Sequence, residues 1–259
     1  MKELGGRTPL EVATKHNLNF LAAMGINGIL DPIAPGVRVG SDTTHLALLG
    51  YDPYAVYTGR GPFEALGVGL RLEDEDIAFR SNFSTVDEDL VVLDRRAGRI
   101  QDGTRELTEA INEIRLPGVE IIFKESTVHR GALVMRGKGL SCEVSDSDPH
   151  VTGAKVLDVK AMNSTPGAEK TAKLINEFSH RVQDVLNTHE VNVARVNKGL
   201  NPANMLLLRG CGRIAKIQSF QEKYGLQTGC MATTGLIRGI AMSLEMELLT
   251  TPEDYGRRI

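Results

Sequence analysis

The sequence contains no apolar run long enough to cross a bilayer; stretches such as "NMLLL" (204–208) fall far short of the roughly 20 residues a spanning helix needs. The N-terminal "MKELGGRTPLEVATKHN" has no apolar core of the kind an export signal carries, so a cytoplasmic protein is expected. Cysteine is scarce. Cys142, Cys211 and Cys230 are odd in number and far apart, with no CxxC and no Cys/His cluster, which argues for reduced thiols rather than a disulfide framework. Positive charge is not in excess either: 30 Lys and Arg face 33 Asp and Glu, giving a net charge of -3. With a pI near 6.1, no general attraction to nucleic acid or to an anionic membrane is implied. Internal repeats and low-complexity tracts are missing as well. What remains is 259 residues, 41% of them hydrophobic, enough for one large domain or two ordinary ones around a real core.

The order of elements is α, then β-rich, then α/β. "TPLE" (8–11) is a capping box with proline at the first helical position. The polar "KHN" interrupts the helix it opens, and "LNFLAAMG" runs on to a stop at Gly25. A turn-rich stretch leads to a short helix ending at Gly50, and Pro62 marks another helix start. "DIAFRSNFSTV" and "LVVLDRRAGRI" read as strands. "GTRELTEAINEI" reads as a helix with Leu107, Ala110, Ile111 and Ile114 on one face. "VEIIFKEST" and "RGALVMRG" look like a strand pair around "VH", and the longest helix falls near Gly167–His189, with Leu174, Ile175, Phe178, Val182, Val185 and Leu186 at helical spacing. "PANMLLLRGCG" has the continuous apolar character of a buried parallel strand. "LQTGCMATT" followed by "GLIRGIAMSLEM" repeats a strand-to-helix pattern.

The segment "GVRVGSDTTHLALLG" poses the sharpest chemical question, because Ser41 stands where an extended segment becomes a helix. A serine there is either an ordinary cap or a hydroxyl set at a helix N-terminus, where free N–H groups and the dipole favour phosphate. Arginine gathers beside turns and glycines: Arg60, then Arg95, Arg96 and Arg99 in "DRRAGR", Arg130 in "HRG" and Arg209 in "LRG". Singly, each fits a solvated strand end. Together they suit a small, doubly anionic ligand, since a guanidinium matches phosphate and carboxylate with two parallel hydrogen bonds. "SDSDPH" (145–150) reads as Asx turns or as a metal loop, with turns favoured. His45 reads as packed or solvated, and His129, beside Arg130, has a plausible polar contact with an anion.

Taken together, "LDPIAPGVRVGSDTTHLALLGYDPYAVYTGRGPFEALGVG", "DRRAGRI", "FKESTVHRGALVMRG" and "SDSDPH" closely resemble the archaeal-type cofactor-independent phosphoglycerate mutases, a branch of the alkaline phosphatase superfamily. The resemblance runs over essentially the whole chain. It implies an α/β fold in which residues 1–71 and 201–259 form a partial alkaline-phosphatase-like scaffold around an inserted α+β lobe, 72–200. It implies interconversion of 3- and 2-phosphoglycerate in glycolysis and gluconeogenesis through a phosphorylated Ser41. Arg60, Arg95, Arg96, Arg99, His129, Arg130 and Asp42 are the implied substrate-binding residues. Two divalent ions, manganese or magnesium, are implied as cofactors, with the Ser41 hydroxyl oxygen as one ligand.

The sequence departs from the family pattern at both ends. The expected Asp-Gly strand before "ELGGRTPLE" is not present, and no histidine follows His189. The isolated chain is therefore expected to lack mutase activity. It is expected to leave the "NMLLLRG" strand with open edges, and so to associate or to need a complementing polypeptide. Two rivals stand beside the mutase: a phosphohydrolase of the same superfamily, and a non-catalytic anion-binding lobe.

Overall fold

The structure, a computed structural model, describes residues 1–249. The chain divides into two compact units, Met1–Arg38 and the remainder from Val39 onward. In the first, Thr8 caps α1 (Pro9–Val12), as the capping box predicts: its Oγ1 accepts from the Glu11 N–H at 3.2 Å, and Glu11 Oε2 accepts from the Thr8 N–H at 2.6 Å. α2 (His16–Met24) begins within the "KHN" interruption and stops at Gly25. None of the residues in this unit is buried.

The second unit opens with three short helices, α3 (Ser41–Leu48), α4 (Pro53–Val56) and α5 (Gly61–Gly67). β1 (Ile77–Val86), β2 (Val92–Asp94), α6 (Thr104–Asn112), β3 (Glu120–Glu125) and β4 (Arg130–Arg136) follow. After a long loop come α7 (Pro166–Thr188), α8 (Glu190–Asn197) and β5 (Met205–Gly212). α9 (Phe220–Tyr224), β6 (Gly229–Cys230), α10 (Gly235–Ser243) and β7 (Glu247–Leu248) complete the described residues.

The main sheet is antiparallel throughout. β1 is its centre, pairing β4 on one side and β5 on the other, while β3 extends the β4 side and β2 joins the end of β1 at Thr85 and Val86. Alternation along β1 gives the two faces opposite characters. Ile77, Phe79 and Phe83 join Leu133, Met135, Leu206 and Leu208 in the large core, closed by Leu107 and Ile111 of α6 and by Ile175, Phe178, Val182 and Leu186 of α7. The predicted apolar stripes on both helices supply that contact. On the other face Ala78, Ala132 and Val134 pack beneath Ala65 of α5. Farther along it, Val86, Val92, Met205 and Leu207 form a second apolar patch. Between these two patches the face is polar.

The strand expected to be parallel is antiparallel to β1. Its continuous apolar character comes from being covered on both sides by different clusters, Leu206 and Leu208 toward the large core, Met205 and Leu207 toward the small patch. Its outer edge is not open either. The Ser147 N–H donates to the Leu208 carbonyl at 2.9 Å, Ser147 Oγ accepts from the Leu208 N–H at 2.9 Å, and Asp146 Oδ1 accepts from the Gly210 N–H at 2.9 Å. The "SDSDPH" loop thus does for this part of β5 what a neighbouring strand would do, so the open edge expected there is covered at Leu208 and Gly210.

Behind α5 lies α10. Leu46, Tyr51, Phe63, Leu236, Ile240 and Leu244 form a cluster that joins α3, α5 and α10. The α5–α10 crossing is close: a Cβ at Gly67 would strike the Gly235 carbonyl, and one at Gly239 would strike the Phe63 carbonyl. α10 also connects β6 to β7, which pair in parallel.

Candidate active site

The polar strip between the two apolar patches is built by strand register. Arg80 on β1 faces Arg209 on β5, and Asn82 on β1 faces Arg130 on β4, so all four side chains leave the same face of the sheet. Like charges opposed in this way are destabilising on their own, and here the two carboxylates beside them, Glu64 and Asp148, are shared with Arg60 and Arg95. Arg80 is 7% exposed. Its Nε lies 3.7 Å from Glu64 Oε1, but Glu64 already accepts a 2.8 Å hydrogen bond from Arg60 Nε. Burial, together with Arg60, Arg209 and Arg130, pushes the Arg80 guanidinium down to about 9, against the opposing pull of Glu64. Burial likewise lowers Arg209, while Asp148 opposes it and Arg60 and Arg95 add to it.

The β1–β5 ladder slips between Ala78 and Arg80, where the opposing strand passes from Arg209 to Gly212 with one residue to spare. Gly210 takes φ 62° at this bulge. Bulges commonly re-aim a side chain beside a working site. Here the bulge follows Arg209 and brings Gly210 against Arg60.

The remaining cations come from loops. Arg95 grips the buried Asp148 with two hydrogen bonds, Nε to Oδ1 at 3.1 Å and Nη2 to Oδ2 at 2.6 Å. Burial would raise the Asp148 carboxyl, but these bonds, with the His150 N–H, hold it below the usual carboxylate range. Arg209 shares the same carboxylate at 3.8 Å. His129 is buried at the β3–β4 turn, behind Val128, whose φ of 62° is unfavourable for a β-branched residue. Burial pushes the imidazole down to about 4, aided by Arg130, Arg96, Arg80 and Arg99. Arg80 Nε, Arg130 Nε, His129 Nδ1 and Asn82 Oδ1 are all buried without a hydrogen-bond partner. Orphans of this kind are rare in folded proteins, and four on one strip form a concentrated demand for a polar ligand.

Ser41 is not the helix cap. Gly40 occupies that position and Ser41 is the first helical residue of α3, exposed to solvent. Asp42 is buried, its Oδ2 accepting from the Tyr57 hydroxyl at 2.7 Å. Burial and this bond raise the Tyr57 phenol, on which the charges of Arg60 and Asp146 also act. The start of α3 is thereby tied, through Asp42 and Tyr57, to the border of the strip. His45 Nδ1 contacts the Ser41 carbonyl. Among the described residues no three His, Cys, Asp or Glu side chains gather to hold a metal ion. The side chains around Ser41 among the described residues therefore do not fit the two divalent ions implied by the resemblance.

Of the residues expected from the sequence, Arg60, Arg95, Arg130 and His129 meet at the strip, and Arg96 and Arg99 lie within charge range of His129. Asp42 serves Tyr57 rather than pointing out from its helix. Arg80, Glu64 and Asn82 were not anticipated. An arginine and an asparagine two apart inside "IAFRSNFSTV", a buried strand whose other polar residues are Ser and Thr, are the signal for two of them.

The 2,3-bisphosphoglycerate-independent phosphoglycerate mutase family matches residues 22–192. A protein of that name from Methanothermobacter thermautotrophicus is 51% identical over 252 residues, covering 96% of this chain and 62% of the relative. A second, from Methanosphaera stadtmanae, is 51% identical over 257 residues, covering 99% of this chain and 63% of the relative. The chain thus spans less than two thirds of the length of these relatives. Among solved structures, the cofactor-independent phosphoglycerate mutase from Thermoplasma acidophilum superposes with a TM-score of 0.65 at 40% identity, over 98% of this chain and 68% of that one. The PH0037 protein from Pyrococcus horikoshii gives a TM-score of 0.72 at 33% identity, over 98% of this chain and 58% of that one. A mixed α/β chain whose arginine-rich face accompanies such extended similarity belongs to the 2,3-bisphosphoglycerate-independent phosphoglycerate mutase family.

Proposed function

We propose that the arginine strip binds phosphoglycerate and that Ser41 accepts and returns its phosphoryl group, so that 3- and 2-phosphoglycerate interconvert. One observation carries the reading: Arg80 is buried opposite Arg209 with its Nε unbonded, in a strip that also leaves Arg130 Nε and His129 Nδ1 without partners. Phosphate and carboxylate on one three-carbon ligand would satisfy these donors and offset the repulsion. In the proposed transfer, Ser41 Oγ forms a bond to phosphorus as the glycerate oxygen leaves, and the proton given up by Ser41 goes to that oxygen. The neighbouring glycerate hydroxyl then attacks the phosphoserine, the Oγ–P bond breaks, and the proton lost by that hydroxyl returns to Ser41. Holding glycerate between the two halves separates a mutase from a phosphohydrolase, and the gripped Arg95 and Arg209 supply that hold. Because the chain spans 62% of its relative's length, turnover is proposed for the chain together with the segments that the relative carries beyond it.

The two-lobe division belongs to the same proposal. The cluster of Leu46, Phe63, Leu236, Ile240 and Leu244 supports a scaffold drawn from both flanks, while the pairing of β1 with β5 runs across the proposed boundary. The test is calorimetric titration of this chain with 3-phosphoglycerate, alongside 31P NMR of the mixture with manganese or magnesium, on this chain and on a full-length relative. The proposal expects saturable binding to this chain and, from the full-length form, 2-phosphoglycerate without inorganic phosphate. Release of inorganic phosphate favours the hydrolase, and no binding to this chain overturns the assignment of the strip.

A further inference from the structure

The arginine-bearing loop after β2 is held in a conformation it has little reason to adopt alone. Ala97, Gly98 and Arg99 have φ of 46°, 65° and 58°, three consecutive residues in the left-handed region, only one of them glycine. L-residues visit that region as isolated exceptions, so a run of three needs outside support.

The support is visible. Asp94 turns its carboxylate back onto the loop, Oδ1 accepting from the Arg96 N–H at 2.8 Å and Oδ2 from the Gly98 N–H at 2.7 Å. Asn201, just before β5, donates from Nδ2 to the same Oδ2 at 3.2 Å. Arg195 on α8 completes the frame: its Nη2 donates to the Ala97 carbonyl at 2.9 Å and its Nε to the Asn201 carbonyl at 2.9 Å. These are two carbonyls on segments about a hundred residues apart in sequence, bridged by one planar guanidinium. Burial lowers Arg195, with the charge of Asp102 opposing it. Its donors thus serve the loop backbone rather than a carboxylate.

We propose that Arg195, acting with Asn201 and Asp94, is a positioning residue that sets the "DRRAGR" loop so that Arg96 and Arg99 face His129 and the anion-binding strip. The consequence for ligand rests on the function proposed above; the consequence for the loop does not. His129 provides a reporter independent of ligand. The charged groups around it are Arg130 of β4, Arg80 of β1, Arg96 and Arg99 of the loop, and Asp94, whose carboxylate lies in its field. Arg195 spends its Nε and Nη2 on the Asn201 and Ala97 carbonyls, so its removal is read at the imidazole through the loop.

The experiment is an NMR titration of the His129 ring in the wild-type chain, in Arg195→Ala and in Arg195→Lys, with His129→Gln used to assign the signal. Binding of 3-phosphoglycerate is measured on the same samples. The wild-type midpoint is expected near 4. In Arg195→Ala it should rise by about one unit as Arg96 and Arg99 swing away, with ligand affinity falling about tenfold. Lysine reaches one carbonyl but not both, so Arg195→Lys should move the midpoint in the same direction by less. If Arg195→Ala cannot be obtained folded, the lysine variant alone decides. An unchanged His129 midpoint in a folded variant overturns the proposal, even if its melting temperature drops. A shifted midpoint in a chain that binds no phosphoglycerate sustains the positioning role and removes the functional reading instead.

Discussion

The two faces of one sheet make opposite use of the same strands. Toward α6 and α7, Ile77, Phe79 and Phe83 of β1 and Leu206 and Leu208 of β5 join one apolar core, interrupted only at Ser81 on this stretch of β1. Toward α5, the alternate residues put Arg80 against Arg209 and leave buried donors unbonded. The first face stabilises the fold, and the second holds like charges and unbonded donors against one another. Strain and unsatisfied polar groups gather at functional sites because the surrounding structure can hold them there.

The comparison can be broken most severely on the apolar face. Phe178→Ala, in the middle of the large core, is expected to cost about 3–5 kcal/mol in denaturant unfolding. A cost below about 1 kcal/mol would show that α7 is not closing that face. On the polar face the sign should differ. Arg80→Met removes a buried, under-compensated cation, so stability should hold or rise, while affinity for 3-phosphoglycerate falls by roughly 2–5 kcal/mol. A variant that loses stability yet binds as before would mean that Arg80 serves the fold through Glu64.

Acid distinguishes the faces too. His129 is held near 4, below its ordinary 6.5, by burial and the surrounding arginines. The unfolded chain takes up the proton first, so this contribution is whole above about 6.5 and is lost as the pH falls from there toward 4. The loss should be on the order of 2–3 kcal/mol, and His129→Gln should flatten that part of the stability profile. An anion seated on the arginines should raise the imidazole, so binding near pH 5 should draw in a proton, detectable by calorimetry in buffers of different ionisation heat. The smallest effect belongs to Ser41→Ala. Ser41 is exposed and is not the cap, so stability should change by less than about 0.5 kcal/mol. Mutase turnover of a full-length form should nonetheless disappear, and substantial residual activity would remove Ser41 from its role.

Much of the fold was legible because periodicity reports burial directly. The stripes on α6 and α7, the β3–β4 pair and the Thr8 capping box all sit where the sequence puts them. The parallel assignment of β5 failed because an apolar run reports coverage on both faces, and two separate clusters provide that as well as a layer of helices does. Of the two readings of Ser41, the cap misses by one residue, since Gly40 needs no side chain to begin a helix. Within the site, clustered arginines were legible as a group. Arg80 was not, because its meaning depends on facing Arg209 across more than a hundred residues of intervening chain. The polar "SDSDPH" loop read as turns, but its service to the edge of β5 depends on a register that only the folded chain displays.

The crossing of α5 and α10 has a consequence for how this protein can change over generations. Where helices meet through side chains, a loss on one surface can be answered by a gain on the other. Gly67 and Gly239 instead meet carbonyl groups, which no mutation can trim. Such a junction offers drift no intermediate steps: an alanine at either place must push the helices apart, and no second substitution opposite makes room for it. Around this fixed joint the neighbouring apolar residues remain free to exchange size and shape. The joint itself is expected to divide tolerated from lethal variants sharply in any saturation library selected for folding.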